Sequence, residues 1–190
     1  MYYMVKNLLL HICCAPCATG VIHKLKSDGG FDITGYYYNP NIHPSAENEA
    51  RKNSVKALAA DENIRVLYDD SVMVDYWKKN LAGEKLRRCE FCYALRVNHI
   101  AKTARESGFD SFTTTLLISP WQDHEKIRKI AETAADRYGV EFIYRDFRPL
   151  YREGKNEAYK RGYYLQKYCG CIFSYQESVH KKKPVYTCWE

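Results

Sequence analysis

The sequence contains no apolar run approaching the roughly 20 residues that a bilayer-spanning helix requires, so no membrane-spanning role is expected. Its opening, MYYMVKNLLLHI, runs straight into cysteines with no small-residue cleavage site behind it, which is unlike a secretory leader. No internal repeat, low-complexity tract or linker interrupts the 190 residues, which predicts a single domain over 1–190 and a cytoplasmic protein. Glycine is missing where a nucleotide-binding α/β protein most needs it. After the first predicted strand the chain reads HICCAPC, and the first glycine of the whole sequence is Gly20. A phosphate cradle needs glycine there so that backbone N–H groups can approach the ligand. An ATP-dependent tRNA thiolase is disfavoured on this ground.

What the chain has in abundance is cysteine, eight in all. In a reducing compartment clustered thiols bind metal or do redox work more often than they form structural disulfides. Seven of the eight fall into three tight groups, 13/14/17, 89/92 and 169/171, separated by about 75 residues. Only a fold can bring such groups together. The eighth, Cys188, stands alone near the end of the sequence and is read as incidental.

The fold is legible from alternation. Leu8, Leu9, Leu10 and Ile12 form a short buried-type strand that breaks into Cys13-Cys14-Ala15-Pro16-Cys17, read as a tight loop because proline cannot continue a ladder or sit inside a helix. Helical spacing follows over 18–26, a strand over 31–38, a helix from a Ser45 cap to about Ala60, and a strand over 64–68. A short helix is expected over 72–81, and a long one beginning at Cys89 and ending before Gly108. A strand over 111–118, a helix over 123–138, a strand over 141–144 and a tail helix over 156–167 complete the pattern. Strands and helices alternating five times predict an α/β fold with a five-stranded, mostly parallel, doubly wound sheet. The crevice at the carboxyl ends of its strands is then the expected ligand site.

Charge is uneven. Residues 145–183 carry ten basic and four acidic side chains, which accounts for the whole formal excess of +6. The same segment holds Tyr151, Tyr159, Tyr163, Tyr164, Tyr168 and Tyr175, and basic charge mixed with aromatic rings suits a phosphate backbone and unstacked bases. A merely solvated basic surface is the competing reading. Residues 150–190 are expected to fold back over the sheet's carboxyl edge as a basic, Tyr-rich lid.

Four thiolates bind a zinc ion or an iron–sulfur cluster, and seven exceed either need. The surplus points to two centres, or to one centre plus a redox dithiol. Cys89 and Cys92, placed at a helix start, present both sulfurs to one side, where the macrodipole favours thiolates, and Arg87, Arg88 and Arg96 can offset their charge. Cys169-Gly170-Cys171 has a glycine that lets both sulfurs face one centre. His11 is read as a buried hydrogen-bonded histidine before a ligand, and Glu90 and Asp123 as dipole partners before catalytic acids.

Six stretches together carry a family resemblance: HICCAPC (11–17), YYYNPNIHP (36–44), RCEFCYALR (88–96), FTTTLLISP (112–120), DFRP (146–149) and QKYCGCIFS (166–174). In this order, over roughly Leu8 to Ser174, they resemble the QueH family of epoxyqueuosine reductases. The resemblance implies an adenine-nucleotide α-hydrolase-like (HUP) fold that has given up its nucleotide loop. It implies reductive deoxygenation of epoxyqueuosine at the wobble position of a tRNA with a GUN anticodon, the last step to queuosine, without cobalamin. It implies a [4Fe-4S] cluster on Cys13, Cys14, Cys89 and Cys92. Cys169 and Cys171 are then a redox-active dithiol/disulfide pair, or ligands of an additional mononuclear iron joined by Cys17, a position where the family carries Cys or Asp. Electrons come from an external donor. Tyr, His11 and Glu90 stand as alternative proton sources, and Tyr37, Tyr93 and the C-terminal tyrosines as stacking rings for a flipped base. The rival readings are a non-catalytic, zinc-stabilised RNA-binding module and a small electron-transfer protein.

Overall fold

The protein was analysed as a computed structural model that describes residues 5–71, 73–81 and 85–180. Five strands, β1 (Lys6–His11), β2 (Phe31–Tyr38), β3 (Arg65–Asp69), β4 (Ser111–Thr114) and β5 (Glu141–Phe142), form a sheet in the order β3-β2-β1-β4-β5. Every pairing is parallel, with Leu8 of β1 opposite Ile33 on one side and Ser111 on the other. The expected five-stranded α/β sheet is present and is parallel throughout. Its helices are α1 (Ala15–Asp28), α2 (Ser45–Asp61), α3 (Val74–Leu81), α4 (Lys85–Glu106), α5 (His124–Tyr138), α6 (Tyr151–Lys160) and α7 (Ile172–His180).

The central strand explains the two layers. Leu8, Leu9 and Leu10 are all fully buried, as a strand covered on both faces must be. Successive side chains point to opposite faces. Leu8 and Leu10 therefore pack with Val21, Ile22 and Leu25 of α1, while Leu9 packs with Val97, Ile100 and Ala104 of α4 and Ala131 of α5. Truncating any of the three to Ala costs about 2–5 kcal/mol.

Several boundaries differ from the sequence reading, each for a local reason. Ala15, Pro16 and Cys17 are the first turn of α1 and not a loop, because a proline there loses no intrahelical hydrogen bond. The strand expected to reach Ile118 ends at Thr114, whose hydroxyl accepts the Leu116 N–H and turns Thr115–Ile118 into a 3₁₀ segment. Pro44, and not Ser45, occupies the N-cap of α2. α4 begins at Lys85, so Cys89 and Cys92 lie beyond its first turn. β5 ends at Phe142, two residues early. The tail helix covers Tyr151–Lys160 and stops at Gly162, whose φ of 72° leaves the helical region. The helix expected from Val72 is described from Val74, residue 72 lying outside the described residues. Cys188 and the rest of 181–190 also lie outside them.

The extension is fastened to the sheet domain by backbone contact. A Cβ added to Gly154 of α6 would stand 3.0 Å from the Gly20 nitrogen of α1, so two glycines let these helices touch. Gly20, the first glycine of the chain, thus serves helix packing. From Tyr163 the chain runs along α2, with Tyr163 donating to Asp61 and Tyr164 to Glu47 Oε2 at 2.5 Å.

Candidate functional site

Strand order reverses between β1 and β4, and the crevice beyond their carboxyl ends is the topological switch point of the sheet. Cys13 lies two residues beyond the end of β1, Cys14 is the N-cap of α1 and Cys17 lies in its first turn. One tight strand-to-helix corner thereby gathers all three sulfurs within 4.8 Å of one another. The corner is pinned across the crevice by the Cys13 N–H, which donates to Thr115 Oγ1 at 3.0 Å. The Thr115 hydroxyl lies 3.2 Å from the Cys13 sulfur, and Gln166 Nε2 donates to Cys14 Sγ at 3.1 Å.

The other four sulfurs line an adjoining cavity. Cys89 and Cys92 come from one side of α4, and Cys169 and Cys171 from the segment leading into α7. That segment is held by Arg51 of α2, 2% exposed, which donates to the carbonyls of Tyr168 at 2.9 Å and Cys169 at 3.1 Å. Glu47 accepts from Arg51 Nε at 2.8 Å and neutralises it. His43 N–H donates to Gly170 O at 2.7 Å, and Tyr168 OH to His43 O at 2.5 Å. Gly170 has φ 125°, and a Cβ there would lie 3.1 Å from Arg51 Nη1, so only glycine fits between the two cysteines.

The first cavity is lined by Cys13, Cys17, Arg51, Thr115 and Tyr151 among others, and Cys169, Arg96 and Gln122 line both cavities. The two thiol sets therefore share a wall. None of the seven described cysteines is in a disulfide.

Burial governs the protonation of these thiols. Within the corner the Cys13 thiol is held well below its ordinary range by hydrogen bonding from Cys14 and Cys17, and then Thr115, against the cost of burial. Burial and then the hydrogen bond with Cys13 push Cys14 up, while hydrogen bonding with Cys13 and Cys14 pushes Cys17 up. Burial raises Cys92 to about 12 although Arg96 works against it, and burial and then Cys169 raise Cys171. The helix-start position expected for Cys89 and Cys92 is not what the fold builds, since α4 begins a turn earlier, and at Cys92 burial opposes the expected thiolate. Buried thiols held neutral become strong ligands when a soft metal displaces their protons. Seven sulfurs with buried guanidiniums beside them fit a thiolate-bound metal far better than a hard cation.

Other sequence candidates are placed away from chemistry. His11 is 1% exposed with both ring nitrogens engaged, Nδ1 with Thr114 Oγ1 at 2.9 Å and Nε2 with Tyr38 O at 3.1 Å. Burial, then Arg96, holds it neutral with a pKa of about 4. Glu90 sits on the exposed side of α4 near Lys126, and Asp123 caps α5 by accepting the Lys126 N–H. Tyr37 is buried with its hydroxyl on Asn48 Oδ1 at 2.6 Å, whereas Tyr93 lines the second cavity. Sequence reasoning missed Arg51, Thr115, Gln122 and Gln166. Thr115 and Gln166 lie inside quoted motifs, and nothing in the sequence marks the other two.

These observations define a class: a parallel α/β protein that carries a thiol-lined, metal-competent centre at its switch point. The model of the family described as Epoxyqueuosine reductase QueH matches residues 8–177, and the chain belongs to that family. Among its relatives is the Epoxyqueuosine reductase QueH of Dehalococcoides mccartyi, 34% identical over 94% of this chain and 97% of that one. That of Thermotoga maritima is 36% identical over 92% and 93% of the two chains, and that of Haemophilus influenzae 34% identical over 90% and 73%.

Proposed function

We propose that this chain reduces epoxyqueuosine to queuosine at the wobble position of tRNA, independently of cobalamin, using iron held by its cysteines. The carrying observation is that three cysteine groups far apart in sequence line two adjoining cavities that share Cys169, Arg96 and Gln122, beside the Cys13–Cys14–Cys17 corner at the switch point. Cys13, Cys14, Cys89 and Cys92 would hold a [4Fe-4S] cluster, since the cavities to which Cys13 and Cys92 belong share the Arg96 wall. Cys169 and Cys171, with Cys17, serve as a redox pair or hold a second iron. Such a centre supplies electrons singly at low potential, drawn from an external donor.

The reaction takes two electrons and two protons. Both C–O bonds of the epoxide break, the ring double bond forms and the oxygen leaves as water. The chain's own residues arrange this. Ile42, Leu116 and Leu165 give the first cavity an apolar lining that excludes bulk water. The Tyr151 hydroxyl and Lys155 ammonium open onto it and hold protons that the leaving oxygen requires. Tyr168 is committed to His43 O, and His11 has no vacant nitrogen. The Arg51–Glu47 pair keeps Cys169 at the cavity wall. A base must leave its stack to be reached, and Trp121, 40% exposed on the same cavity, is the ring for it to stack on. The basic extension from Tyr151 onward acts as a lid over the site and meets the tRNA backbone, work that belongs in the cytoplasm.

Anaerobic purification followed by nucleoside mass spectrometry tests the reading. A brown protein that converts epoxyqueuosine-tRNA in the presence of dithionite supports it. Colourless protein holding only zinc would establish the RNA-binding module instead. A reducible cluster that leaves the tRNA unchanged would establish the electron-transfer protein.

A further inference from the structure

Three guanidiniums surround the thiols, and they differ in one respect. Arg51, 2% exposed, is paired with Glu47 at 2.7 Å, and Arg88, 7% exposed, with Glu177 at 2.8 Å. Arg96, 3% exposed, pairs with no carboxylate among the described residues. Its donors go to Cys92 Sγ at 3.1 Å, Cys92 O at 3.4 Å and Asn39 Oδ1 at 3.5 Å. A permanently charged group removed from water and left without a counterion is strongly disfavoured. The counter-charge for Arg96 must therefore come from the sulfurs that line the two cavities with it. Arg96 lines the first cavity with Cys13, Cys17 and Cys169 and the second with Cys89, Cys92, Cys169 and Cys171, so this single side chain faces all three cysteine groups.

We propose that Arg96 is the shared counter-charge of the whole thiol centre, a positioning residue that offsets the negative charge of the thiolate-bound metal and so sets the potential at which electrons enter. The inference rests on the reductase reading and names a residue for the electrostatics of that site. The guanidinium cannot give up its proton near neutral pH, so it acts only as a fixed positive charge and hydrogen-bond donor. A fixed positive charge beside an anionic redox group favours electron uptake. Removing it makes the group harder to reduce and its resting thiolates harder to assemble around iron. Lysine keeps the charge and loses the fork geometry, so a charge role and a geometric role separate between the two replacements.

The test uses the anaerobically purified full chain and measures iron per chain, thermal midpoint and midpoint reduction potential for wild type, Arg96→Gln and Arg96→Lys. The expected result is a more negative potential for Arg96→Gln at near-wild-type iron content, potential largely restored in Arg96→Lys, and kcat about tenfold or more lower in Arg96→Gln with a small change in KM. Loss of iron in folded Arg96→Gln, restored in Arg96→Lys, also supports the proposal. Wild-type potential in an iron-loaded Arg96→Gln overturns it, as does equal loss of iron in both variants at an unchanged thermal midpoint. Should Arg96→Gln fail to fold, Asn39→Asp supplies Arg96 with a carboxylate while the guanidinium stays in place. It is expected to shift the potential the same way, and an unchanged potential there overturns the proposal. Because the potential is read without tRNA, turnover by the wild type stands or falls separately.

Discussion

The Cys13 N–H donates to Thr115 Oγ1 at 3.0 Å, and the same hydroxyl donates to the Cys13 sulfur at 3.2 Å. This double contact ties the carboxyl end of β1 to the end of β4 across the switch point, and the Thr115 hydroxyl is one of the groups that lower the Cys13 thiol. Thr115→Val keeps the volume and removes both partners. It is expected to lower stability by about 1–2 kcal/mol. Iron per chain should fall as well, and Thr115→Ser should recover much of both. Thermal denaturation and iron analysis read the outcome; full iron loading in Thr115→Val would remove the hydroxyl from any part in holding Cys13.

The two cysteine roles separate by mutation. Cys89→Ala should lose cluster and turnover together, since a cubane with a ligand missing is labile. Cys171→Ala should retain much of the visible absorption while turnover is lost. Equal loss of absorbance in both variants would contradict the division of the seven thiols into cluster ligands and a redox or second-iron pair.

Gly170→Ala probes the clamp on that pair. An alanine at φ 125°, with its Cβ 3.1 Å from Arg51 Nη1, must shift either the Arg51 side chain or the Cys169–Cys171 backbone. The strain is of order 1–3 kcal/mol. Gly170 is buried but the strain falls on the short segment that carries the two cysteines, so single-turnover rate should fall more steeply than the thermal midpoint. A variant with wild-type turnover would show that the spacing of the two sulfurs is not critical.

Glu62 supplies the pH dependence that lies outside the thiol centre. It closes α2 and gathers His23 and Lys26 of α1 and Arg161 beyond α6. Burial raises its carboxyl, but the hydrogen bonds from Lys26, His23 and Arg161 prevail and hold it at about 2, below the ordinary 4.5. A depressed folded-state value means that the stabilisation is complete above 4.5 and is lost as pH falls toward about 2. Glu62→Gln should therefore be less stable than wild type by about 2 kcal/mol near neutrality. The gap should narrow below pH 4.5, where urea denaturation of the metal-free chains should show the curves converging. A pH-independent gap would assign the loss to packing.

The alternation of short apolar runs with helical periodicity was enough to specify a five-stranded α/β sheet, because a strand buried on both faces and an amphipathic helix leave different one-dimensional patterns. The absence of glycine before Gly20 argued against a phosphate loop, and the three cysteine groups pointed to a thiol centre. What the pattern does not carry is anything decided by competition between local preferences. Pro16 reads as a breaker and is in fact the first turn of α1, and Thr114 turns a β-branched run into a 3₁₀ segment with its own hydroxyl.

Only the tertiary structure decided which thiol belongs to which wall. Cys13 and Cys92 are far apart in the chain and meet through Arg96, Arg51 reaches the Cys169 carbonyl from another helix, and His11 proves to be satisfied by Thr114 and Tyr38. Residue type and spacing fix what a side chain is able to do. Whether it is charged, paired or open to substrate depends on desolvation and on neighbours that arrive from distant strands, and those exist only once the sheet has formed.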